Sequence, residues 1–284
     1  PSSQDIFDSS GQPALDWMLA GYNINIIATG HAGSGKSSTL FGQSGRHGLV
    51  HMFLNNLYKA VEESQLRDGA PTTPCFTVGL SMWELSKDRV KDLLAPSSSQ
   101  EAEPSEEASS EHLLKFKTVR SDTFSTAVAL ITTGIQRSAN FSSNGQKTLV
   151  RPNKAHLFLR VVVHNTKTKN LSILHILDMI GDVPVSGGLM TGPSGDVVDA
   201  ELARFCLQQS TLFVQMISEL AEASVTTGET GLSALNSYQG SALNRLVAPV
   251  LSGNAKTILL QHLATHRFFL PDSVRTLDLG QKAL

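Results

Sequence analysis

Residues 30–37, Gly30-His31-Ala32-Gly33-Ser34-Gly35-Lys36-Ser37, complete the pattern G-x-x-x-x-G-K-[ST], and no other stretch restricts the fold of this chain as much. In such a loop the glycines let backbone N–H groups converge on phosphate oxygens. Lys36 then reaches the terminal phosphates, and the Ser37 hydroxyl can hold a magnesium ion. The ligand implied is a nucleoside triphosphate. The loop also demands a buried strand before it and a helix after it. Asn25-Ile26-Ile27-Ala28 reads as that strand, and Ser37-Ser38-Thr39-Leu40 opens the helix. The alternative is a glycine-rich turn between strand and helix that binds nothing.

With 284 residues, 40% of them hydrophobic and 17% charged, the chain can bury one large α/β core or two small ones; one domain over residues 1–284 is the expectation. A net charge of −2 excludes a generally basic nucleic-acid binder. Cys75 and Cys206 are too few and too far apart for a disulfide scaffold or a metal site, so both are expected in the core of a protein from a reducing compartment. No apolar run approaches the roughly 18 residues of a membrane span, and no signal segment opens the chain. A cytoplasmic location without membrane contact is expected. The chain starts at Pro1 rather than Met, as a piece of something longer would.

Apolar runs alternate with helical patterns, as a mostly parallel sheet requires. Helices are expected over 13–20, 49–63, 123–135, 199–222 and 241–251, with Asp122 and Asp199 as caps and Asp272 capping a last helix. Strands are expected over 24–28, 76–85, 156–163, 171–177 and 256–263, with 156–177 forming an antiparallel hairpin inside an α/β sequence. Residues 96–111 are Ser/Glu-rich and nearly free of apolar side chains, which predicts a solvated, disordered loop; residues 182–198 are glycine-rich and irregular. There is no internal repeat.

A phosphate loop needs a partner that senses the terminal phosphate, and Asp178-Met179-Ile180-Gly181 stands where that partner belongs. The aspartate ends an apolar strand, as an acid of a magnesium shell does, acting on the ion indirectly. The glycine can offer its N–H to the γ-phosphate. Asn153-Lys154-Ala155-His156 lacks the acid of a guanine-reading N-K-x-D, which argues against GTP specificity. His47/His51 and His262/His266 have i,i+4 spacing, but no glutamate completes a zinc-protease H-E-x-x-H. No G-x-S-x-G elbow anchors a Ser-His-Asp hydrolase.

These residues bring the chain close to a known family. Gly21-Tyr22-Asn23, Ile26 and the loop 30–37 resemble G-Y-N-x-x-I-x-A-Y-G-Q-T-G-S-G-K-T of the kinesin motor domain. Residues 77–94, with Trp83-Glu84-Leu85 and Val90-Lys91-Asp92-Leu93-Leu94, are similar to the family's strand and the R-D-L-L after it. Ser241-Ala242-Leu243-Asn244-Arg245-Leu246 and Leu251-Ser252-Gly253-Asn254-Ala255-Lys256-Thr257 resemble S-K-L-T-R-L and L-G-G-N-A-K-T. The resemblance implies a kinesin-motor-like P-loop NTPase with a mixed, mostly parallel central sheet flanked by helices on both faces. It implies ATP or ADP with magnesium as cofactors, microtubules as partner and the cytoskeleton as location. The family's opening strand, with its arginine/proline motif beside the adenine, would lie before Pro1.

The departures from the family pattern carry their own expectations. Where the first switch reads S-S-R-S-H, this chain has Pro152-Asn153-Lys154-Ala155-His156, and the glutamate position of the second switch, D-L-A-G-x-E, holds Val183. Lys154 keeps a positive charge but not the two-pronged arginine geometry. The degenerate catalytic set is therefore Lys154, Asp178 and Gly181, with slow hydrolysis expected while nucleotide binding persists. On the filament side the resemblance assigns Tyr238, Ala242 and Arg245 as microtubule-facing, with Gln239 and Ala242 in place of two basic residues. From Val183 to the end, six basic residues face eight acidic ones, so docking on acidic tubulin should be weak. Two classes of function follow: a slow microtubule-stimulated ATPase, or a non-motile interaction module with nucleotide as a structural ligand.

Overall fold

A computed structural model describes residues 1–43, 45–67, 74–86, 89–96, 116–138, 155–181, 185–186, 189–190, 200–226, 240–251, 255–264 and 267–283. Helical turns from Ser3 lead into α1 (Gln12–Leu19), and Gly21 turns the chain into β1 (Asn23–Gly30). After the loop come α2 (Lys36–Phe41), a two-residue hairpin, α3 (Leu49–Arg67), β2 (Phe76–Ser86), β3 (Arg89–Asp92), β4 (Val119–Ser121) and α4 (Phe124–Arg137). The hairpin β5 (His156–Asn165) and β6 (Leu171–Asp178) follows. The long α5 (Ala200–Thr226), α6 (Ala242–Leu251), β7 (Ala255–His262) and α7 (Leu270–Ala283) complete the order.

One seven-stranded sheet runs β7-β1-β6-β5-β2-β3, with β4 paired to β2. β1 lies parallel to both β7 and β6, in registers that set Gly30 beside His262 and Ala28 beside Asp178. The other pairings, β6 with β5 and β2 with β5, β3 and β4, are antiparallel. The sheet is therefore mixed, as expected, but not mostly parallel. Tight hairpins allow antiparallel pairing without a crossover helix, so only the three strands around the phosphate loop need to be parallel.

Side chains alternate across this sheet, and each face has its own core. Ile24, Ile26, Leu80, Met82, Leu157 and Leu159 pack under α1, α3 and α4. Ile27, Trp83, Phe158 and Leu177 pack with Phe213 of α5, Leu246 of α6 and Leu279 of α7. Trp83 is fully buried, stacked 4.7 Å from Phe116 and 5.3 Å from Phe158. Cys75 and Cys206 are buried free thiols, as expected.

Two expected caps sit elsewhere. The Thr123 hydroxyl accepts from the Thr126 N–H and caps α4, while Asp122 pairs with Arg120 at 2.6 Å. Asp272 lies inside α7, because the helix continues from the 3₁₀ turn Arg267–Phe269 and begins at Leu270. Pro249 stands inside α6 without ending it before Leu251. The expectations for 96–111 (beyond Pro96), for Asp199 and for most of 182–198 lie outside the described residues.

Candidate functional site

β1 delivers the loop at the end of the parallel strands, where the carboxyl ends of β1, β6 and β7 meet. Gly30 turns out of the strand at φ 139°, and a side chain there would run into the His262 carbonyl. Lys36 opens α2 but does not reach outward. Its ammonium donates to the carbonyls of Gly30 and His31, both at 2.8 Å, and the residue is only 4% exposed.

Asp178 ends β6 fully buried, and the Ser37 hydroxyl donates to its Oδ2 at 2.5 Å. A hydroxyl and a carboxylate converging at a phosphate loop are hard oxygen donors of the kind magnesium takes. Around them, buried polar atoms have no hydrogen-bond partner: Thr29 Oγ1, Ser34 Oγ, His31 Nε2 and His156 Nε2. Such atoms are costly unless a ligand or water satisfies them. The residues thus fit a magnesium-bound polyphosphate.

Gly181 is brought to the same place. Two residues before it the Met179 N–H donates to the Ala28 carbonyl, and the Ile180 N–H donates to His156 Nδ1 at 3.2 Å. The chain of β6 is thereby led across the loop, and a Cβ on Gly181 would stand 2.5 Å from the Ala32 nitrogen, the His31 carbonyl carbon and the Lys36 Nζ.

Sequence reasoning missed the histidines that line this site. His31 is buried, its ring stacked 4.4 Å from Phe269 at 8°, and its Nδ1 donates to the Ala32 carbonyl at 2.6 Å. His156, fully buried at the start of β5, is pushed down to about 3 by burial and then by the Lys36 ammonium. Burial also lowers His31 and His262, and Lys36 acts in the same direction on both. Three neutral imidazoles therefore surround one lysine. The Phe269 contact spans most of the chain and leaves no local pattern from which it could have been read.

Several expected residues are not brought here. Lys154, Val183 and Tyr238 lie outside the described residues. Ala242 was expected on an exposed helix face, yet it is 2% exposed. The first turn of α6 is turned toward α5: the Ser241 hydroxyl donates to Gln209 and the Asn244 amide to the Leu212 carbonyl. Arg245 is half-buried. His47 and His51 stack at 3.6 Å, and among the described residues no three His, Cys, Asp or Glu side chains form a group that could hold a metal ion. No described helix is long and apolar enough to cross a membrane.

Comparison with known proteins agrees with this geometry. The chain is 26% identical over 300 residues to kinesin-like protein KIN-14T of Arabidopsis thaliana, covering 99% of this chain and 31% of that protein. It is 23% identical over 294 residues to kinesin-like protein 3 of Schizosaccharomyces pombe, covering 100% and 49%. The chain thus spans a third to a half of the length of these relatives. Among solved structures, that of a fast kinesin superposes with a TM-score of 0.74 at 22% identity, over 100% of this chain and 76% of the other. A KIF14 dimer bound to AMP-PNP and a microtubule gives 0.76 at 19%, over 100% and 77%. The family model described as the kinesin motor domain matches residues 1–284, and the chain belongs to that family of nucleotide-binding, microtubule-associated domains.

Proposed function

We propose that this chain is an atypical kinesin motor domain that binds magnesium with ATP or ADP in the loop 30–37, hydrolyses ATP slowly and docks weakly on microtubules. The observation that carries the reading is the convergence of Lys36, Ser37, Asp178 and Gly181 at the ends of parallel strands. In this reading Lys36 and the loop amides hold the β and γ phosphates. Ser37 and Asp178 hold the magnesium, the latter indirectly, and the ion supplies charge neutralisation between the phosphates when bound. The neutral His156 keeps the Ile180 N–H in place and so positions Gly181. Microtubule docking, through a surface that includes Tyr238 and Arg245, places the protein on the cytoskeleton.

A second reading, a non-motile kinesin-fold module with nucleotide as a structural ligand, is favoured by Lys154 and Val183 at the two switch positions. Steady-state ATPase assays and co-sedimentation with microtubules, on the intact parent protein and on Lys36→Ala, separate the two. Slow turnover that microtubules raise and Lys36→Ala abolishes supports the motor reading. Microtubule pelleting with no turnover supports the module. Calorimetry that detects no ADP or ATP binding at all would falsify both.

A further inference from the structure

The phosphate loop of this chain is already filled by the chain itself. A loop ready for phosphates holds its amides and lysine open to solvent, whereas here Lys36 is 4% exposed and Ala32 5%. The Lys36 ammonium is turned onto the Gly30 and His31 carbonyls. Met179 and Ile180, each 4% exposed, and the buried Gly181 cross in front of the loop. Gly181 comes so close that the space for even one methyl group is taken by Ala32, His31 and Lys36. Backbone atoms on two sides cannot yield to it. From behind, Phe269 stacks on His31.

We propose that the segment Met179-Ile180-Gly181 is an autoinhibitory plug of the phosphate loop, occupying the place of the terminal phosphates, so that nucleotide enters only as Gly181 withdraws. This rests on the nucleotide reading above for its ligand, but not for its geometry. The measured affinity for nucleotide is then the intrinsic affinity reduced by the open fraction of molecules. The plug is held by the Met179 and Ile180 N–H bonds to Ala28 and His156, and the Ser37–Asp178 contact joins the two elements at its base. Nucleotide occupancy becomes readable as the position of the chain that leaves β6.

Gly181→Ala tests the plug because its methyl cannot be seated in the closed form. The probe is magnesium–ADP, which lacks the γ-phosphate and so isolates clearance of the loop from any bond that Gly181 makes to that group. On the full-length protein, calorimetry should show ADP binding about tenfold tighter in Gly181→Ala, as for an open fraction near a tenth in the wild type. Acylation of lysines by an amine-reactive ester, read by mass spectrometry, should find Lys36 at least tenfold slower than the exposed Lys59 in the wild type and released in the variant. Hydrogen exchange on the wild type guards against a misfolded variant. ADP should speed exchange at residues 179–181 if it displaces them. Slower exchange there with ADP, or Lys36 reacting as fast as Lys59 in the wild type, overturns the plug, as does weaker ADP binding by a folded Gly181→Ala. If Lys36 is released in the variant and yet neither protein binds ADP or ATP, the plug stands and the nucleotide reading falls.

Discussion

His156 and His175 are held neutral inside the protein, and that ties its stability to pH. Burial takes His156 down to about 3 and His175 to about 4, with Lys36 and Arg160 respectively adding to the effect. An unfolded chain would protonate both near 6.5. Below that value the unfolded state binds protons that the folded state refuses, so stability falls as pH falls from about 6.5 toward 4. Each histidine should cost about 2 kcal/mol between pH 7 and pH 5. Urea unfolding of wild type and His175→Gln at both pH values checks this: the variant should lose about 2 kcal/mol less than the wild type. An equal loss in both would remove His175 from the account. At this scale the motif residues were legible, because G-x-x-x-x-G-K-S and D-x-x-G carry their geometry in their spacing. The imidazoles were not. His31 meets Phe269, and His262 meets Gly30, only through tertiary folding that no local pattern encodes.

At the scale of elements, apolar periodicity placed most helices and strands, and the errors fall where two local signals compete. Asp122 and Thr123 are both good caps by type. Arg120 engages the aspartate, which leaves the Thr123 hydroxyl to meet the Thr126 N–H. Thr123→Ala should therefore destabilise the protein by about 1 kcal/mol, whereas Asp122→Ala should change it by less than about half of that, since its pair with Arg120 is exposed. Thermal melts of the two variants decide between the caps. The same competition governs α6. Its sequence match to S-K-L-T-R-L suggests an exposed lysine position at Ala242, but Ser241 and Asn244 bind α5 and turn that face inward. Ala242→Lys would bury an ammonium where a methyl sits, and we expect a loss of about 2 kcal/mol or more in urea unfolding. A variant as stable as the wild type would mean that α6 can roll away from α5.

Over the whole molecule, the three parallel strands carry the nucleotide site and the antiparallel strands β5, β2, β3 and β4 extend the sheet away from it. The hairpin of β5 and β6 joins the halves, with His156 at one end and Asp178 opposite Leu157 in the register. The chain immediately before β5 and immediately after β6 carries the two switch positions, so Lys154 and Val183 belong to one hairpin in sequence terms. The family pairs an arginine with a glutamate at these positions. Here lysine has no carboxylate partner from the other switch, and valine has no charge to offer. Restoring one member leaves it alone: Lys154→Arg changes the shape of a cation without an acid, and Val183→Glu adds an acid beside a cation that cannot grip it with two N–H groups. We expect each single variant to keep the slow wild-type turnover within a few-fold, and Lys154→Arg with Val183→Glu together to raise kcat by about tenfold or more, since that gain corresponds to about 1.4 kcal/mol of coupling. The measurement is microtubule-stimulated ATPase on all four proteins, read as a double-mutant cycle. Additive effects, or wild-type turnover already at the rate of the double variant, would show that the switch pair is not what slows this chain.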